Sequence, residues 1–76
     1  MENLFTTSVN VERQTVKYLV QFDHENYHFI AQDIKGSYPD FSLRREHDEW
    51  VLVNPLPEEV KKQAVDALEG YLLRQH

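Results

Sequence analysis

The string His24-Glu25-Asn26-Tyr27-His28 sets two imidazoles and a carboxylate within five residues. Two imidazoles four residues apart on a helix share one face, close enough to hold one divalent ion, and the glutamate beside the first can act as general base toward a metal-bound water. That chemistry depends on the helix. On an extended hairpin the same spacing puts His24 in a turn and His28 on a strand, up to roughly 13 Å away at about 3.3 Å per residue. Other reactive patterns are missing from the chain. It has no cysteine, its two glycines cannot build a phosphate cradle, and no serine sits in a G-x-S-x-G turn. The paired carboxylates, Asp48-Glu49 and Glu58-Glu59, stand where a turn and a helix start each call for acidic residues.

The five-residue string resembles the H-E-x-x-H zinc site of metalloproteases. The resemblance implies His24 and His28 as zinc ligands and Glu25 as base. It covers five of 76 residues, and that site also needs a third ligand, for which His47, Asp48 and His76 are the conceivable sources. A second constellation is basic and aromatic. Arg44, Arg45 and Trp50, with Lys61 and Lys62, are the residue types that hold single-stranded nucleic acid. Against it stands a formal charge of −5, which repels phosphate and anionic lipid from most directions.

Which chemistry is possible rests on the elements that position these residues. Residues 15–22 alternate, with Val16, Tyr18, Val20 and Phe22 on one side and Lys17, Leu19 and Gln21 on the other, which predicts a half-buried strand. Residues 23–26 are polar and turn-prone. From Tyr27 to Ile34 β-branched and aromatic residues resume, and pairing Phe22 with Tyr27 sets Val20 opposite Phe29 and Tyr18 opposite Ala31, so both strands agree on an apolar face. The same stretch also fits a helix through Tyr27, Ile30, Ala31 and Ile34, capped by Asp23 and Gly36. The strand is preferred because the helix strands Phe29 off its apolar side and is built from weak helix formers. Residues 41–46 and 50–53 predict a second hairpin, with Leu43 facing Leu52 and Arg45 over Trp50. Beyond Asn54-Pro55-Leu56-Pro57 a helix is expected from Pro57, burying Val60, Ala64, Ala67, Leu68, Tyr71 and Leu72, with a weak point at Gly70.

The expected fold class is therefore α+β: a four-stranded antiparallel meander (ββββ) with one C-terminal amphipathic helix on one face, and βαββα as the alternative. Residues 1–76 are read as a single domain with residues 1–10 loosely ordered, although residues 7–12 could extend the sheet. No stretch is long and apolar enough for a membrane span and no leader pattern is visible, so a cytoplasmic location is expected.

The expected function is a non-enzymatic protein-interaction module or small homodimer, with no catalytic residue, no metal ligand and no cofactor. Its partner surface is assigned to the sheet face opposite the helix, at Leu19, Ile30, Ile34, Val51 and Val53. The alternatives are metal-dependent hydrolysis at His24, Glu25 and His28, and weak nucleic-acid binding through Arg44, Arg45 and Trp50. Membrane partners are not expected, and nucleic acid is disfavoured by charge.

Overall fold

The computed structural model describes residues 2–32 and 39–74. Five strands, β1 (Glu2–Val11), β2 (Gln14–Asp23), β3 (Asn26–Ala31), β4 (Phe41–Glu46) and β5 (Glu49–Leu52), are followed by one helix, α1 (Glu58–Arg74). The strands form one antiparallel sheet in the order β1-β2-β3-β4-β5, a plain meander. The α+β class and the terminal helix hold. The strand count rises from four to five, and residues 26–31 are strand, which removes the βαββα alternative.

The additional strand is the N-terminal segment expected to be loose. Glu2–Val11 pairs along its length with β2, from Glu2 opposite Phe22 to Val11 opposite Gln14. Two features hide it in the sequence. A bulge between Asn3 and Phe5 resets the alternation, so Leu4 and Phe5 both pack against the core. Further along, Thr7 occupies an inward position opposite Tyr18, interrupting an otherwise apolar row.

Hairpin registers follow from matching apolar faces. Tyr18 pairs with Ala31, Val20 with Phe29 and Phe22 with Tyr27, while Leu43 pairs with Leu52 and Arg45 with Trp50. All three tight turns place two residues at positive φ: Glu12-Arg13, His24-Glu25 and His47-Asp48. This is the two-residue turn whose twist matches that of the flanking strands, and glycine or asparagine usually supplies it. Here none does.

The inward face of the sheet carries Val9, Val16, Tyr18, Val20, Phe29, Phe41 and Leu43, all buried, and Val60, Ala64 and Leu68 of α1 close the core over them. Phe29 and Phe41 are cross-strand partners and stack at 4.7 Å, with the Tyr18 ring edge-on to both. The Tyr18 hydroxyl donates to the Pro39 carbonyl at 3.2 Å, which gives its buried polar end an acceptor.

α1 starts where the proline and acidic pair place it. The Pro57 carbonyl accepts from the Lys61 N–H, so Pro57 caps the helix one residue before its first turn, and Glu58 and Glu59 sit at the positive pole. The helix runs through Gly70 to Arg74 without ending early. Packing outweighs the roughly 1 kcal/mol a mid-helix glycine costs, because Tyr71, the next residue, stacks on Phe5 of β1 at 4.7 Å. At the other end, the Gln63 side-chain amide accepts from the Asn10 N–H at 2.8 Å and donates to the Asn10 carbonyl at 2.9 Å, substituting for a neighbouring strand at that point of the β1 edge.

Candidate functional site

His24 and Glu25 are the two central residues of the β2–β3 turn, and His28 stands on β3. The His24 side chain is 88% exposed, with Nε2 3.5 Å from Asp23 Oδ1. His28 points to the opposite surroundings: it is half-buried on the outer face, and its Nδ1 shares a 2.7 Å hydrogen bond with Ser42 Oγ of β4. A hairpin therefore separates the two imidazoles that a helix would have brought together. Of the conceivable third ligands, His47 and Asp48 form the β4–β5 turn, and His76 lies outside the described residues. Among the described residues, no three His, Cys, Asp or Glu side chains are grouped so as to hold a metal ion.

The basic and aromatic constellation is divided by strand alternation. Arg45 and Trp50 are cross-strand partners on the helix side of the sheet, where the guanidinium lies 4.9 Å from the indole centre and the indole meets Tyr27 edge-on. Arg44, one residue earlier, projects from the other face. It donates to Asn26 Oδ1 at 3.1 Å and to Glu46 Oε1 at 3.3 Å, so its charge is engaged within the sheet. Lys61 and Lys62 are on the helix.

The outer face is where the expected partner surface falls. Leu19 and Ile30 are direct cross-strand partners, with Thr6 of β1 on the far side of Leu19. Both are half-buried by neighbouring side chains, and among the described residues no element packs over them. Val51, 38% exposed, pairs with Arg44, and Val53, 51% exposed, donates its N–H to the Ser42 carbonyl. Ile34 lies outside the described residues.

These positions do not make one continuous patch. A polar band crosses the sheet between them. Asn3 and Gln21 are joined by a 2.7 Å amide hydrogen bond, Gln21 pairs with His28, and His28 pairs with Ser42. The outer face thus presents an apolar pair at Leu19 and Ile30, then a band of amide, imidazole and hydroxyl groups, then Val51 and Val53 at the β5 edge. Such a surface can bury modest apolar area and exchange directional hydrogen bonds, the combination found at protein–protein contacts. Gln21, His28 and Ser42 were not assigned to it from the sequence. Strand alternation places each of them on the outer side, but only the cross-strand register brings the three together.

One hollow of about 280 Å³ lies between Arg45 and the end of α1 at Glu69, Leu72 and Leu73. A second of similar size is walled by Pro39, Pro55 and Pro57. Each falls below the usual range for small-molecule sites.

No protein-family model, curated protein or solved structure matches the chain. Among the described residues no helix is long and apolar enough to cross a membrane.

Proposed function

We propose that the chain is a non-enzymatic protein-interaction module that receives a protein partner on the outer face of its sheet. The observation that carries this reading is the Leu19–Ile30 pair. It sits in the middle of a face that α1 leaves uncovered, next to the Asn3–Gln21 and His28–Ser42 hydrogen-bonding groups. Apolar side chains at such a position lower the cost of desolvating a partner, and the polar band supplies orientation. The scatter of ionisable groups supports binding over catalysis, since His24 and His28 are held apart and Arg44 is already paired. A cytoplasmic location belongs to the same proposal, and a cysteine-free sequence suits a reducing compartment.

The test uses a partner recovered from the cells that make this protein. Replacing Leu19 and Ile30 together by serine is expected to weaken that partner's binding at least about tenfold, equivalent to about 1.4 kcal/mol, while circular dichroism shows the native fold. Undiminished binding by the folded double variant would remove the outer face from the account.

A further inference from the structure

The two edges of the sheet are protected very differently. β5 has four residues, carries Glu49, and is stopped by Asn54-Pro55. β1 has ten, and its residues 3–10 include no charge and no proline. An edge this long and neutral is a template for another strand. The tight turn at Glu12-Arg13 makes Val11 and Gln14 a hydrogen-bonded pair, so Asn10, Ser8 and Thr6 turn their backbone groups away from β2. Among the described residues, the Gln63 amide engages those groups at Asn10.

We propose that β1 pairs with β1 of a second copy of this chain, antiparallel about a two-fold axis through Thr7. This register sets Thr6 opposite Ser8 of the partner and Ser8 opposite its Thr6; the next pair along, Asn10 with Leu4 of the partner, falls where Gln63 already holds the edge, so the new ladder is confined to residues 5–9. It also matches faces. Phe5 lies opposite Val9 of the partner on the helix side, where both residues already pack into the core, while Thr6 and Ser8 share the polar outer side.

The helix is placed compatibly with the same two-fold. Gly70 is seven residues from Gln63, on the flank of α1 that overlooks the β1 edge, and a methyl group added there would meet nothing nearer than Arg74 Nη1 at 3.7 Å. Contacts within one copy do not require a glycine at that position. The two-fold relation runs the two helices antiparallel, directing the acidic first turn of one, Glu58 and Glu59, toward Arg74 in the last turn of the other.

Because the chain has no native cysteine, Thr7→Cys is a clean reporter. Its two copies would meet across the axis at a separation a disulfide accepts. Mild oxidation is expected to give a covalent dimer from Thr7→Cys and none from Lys17→Cys, which lies on β2 away from the edge. In sedimentation, Ser8→Pro, which removes an outward N–H without touching the β1–β2 ladder, is expected to raise the dimer dissociation constant at least about tenfold. A chain that remains monomeric up to about millimolar concentration would overturn the proposal. So would a dimer that Thr7→Cys fails to lock and Ser8→Pro fails to weaken. Substitution of Leu19 and Ile30 on the outer face leaves this dimer intact, so failure here and failure of the binding-module reading are separable.

Discussion

Six residues without glycine's freedom hold positive φ, and they come in pairs at the three hairpin tips: Glu12-Arg13, His24-Glu25 and His47-Asp48. An L-residue in that region costs about 1–2 kcal/mol, so the strands on either side must pair strongly enough to impose it. Glu25, at φ 66°, has an exposed side chain. Glu25→Gly is therefore expected to raise stability by about 0.5–1 kcal/mol after allowing for the glycine's larger unfolded-state entropy, read as a higher urea midpoint with unchanged slope. An unchanged or lower midpoint would mean that the turn stores no relievable strain. The same pair explains why the H-E-x-x-H string misleads. Its letters satisfy a helical spacing, yet the registers on either side force His24 and Glu25 to the tip of a hairpin, and no local reading of five residues contains that information.

At the scale of elements, β2 was legible because its apolar residues alternate, and β3, β4 and β5 because their apolar residues agree across each pair, although the run Phe29-Ile30-Ala31 left β3 open to a helical reading. β1 was not, since its bulge at Leu4 and its inward Thr7 break the alternation. The outer face was legible only in part. Strand alternation alone assigns Leu19 and Ile30 to one side, but the hydrogen-bonded band of Gln21, His28 and Ser42 emerges only from cross-strand register. In α1 the sequence contains a visible weak point at Gly70, and the structure shows the helix continuing because Tyr71 is anchored on Phe5. With 3.7 Å to the nearest atom, an added methyl fits. Gly70→Ala is expected to raise the thermal midpoint, corresponding to about 0.5–1 kcal/mol, measured at a concentration dilute enough to keep the chain monomeric. Destabilisation would show that the helix backbone at Gly70 cannot accept a side chain.

For the whole molecule, one sheet face and one helix supply the entire core among the described residues, and aromatic contacts dominate its centre. Phe29 is fully buried between Tyr18 and Phe41. Phe29→Ala is expected to cost about 3–5 kcal/mol, a large share of the roughly 5–15 kcal/mol available to a small domain. Urea unfolding should show a midpoint lowered in proportion to that loss. A loss below 1 kcal/mol would mean that the core is looser than its stacked geometry implies. Among the described residues most apolar side chains lie on the helix side, which leaves the outer face the Leu19–Ile30 pair, its polar neighbours, and Val51 and Val53 at the β5 edge, and that asymmetry is the basis for reading the molecule as a binding module. Amide chemical-shift mapping with a recovered partner tests this most directly. Shifts concentrated at Leu19, Gln21, His28, Ile30 and Ser42 are expected, and shifts confined to the exposed side of α1 would contradict it.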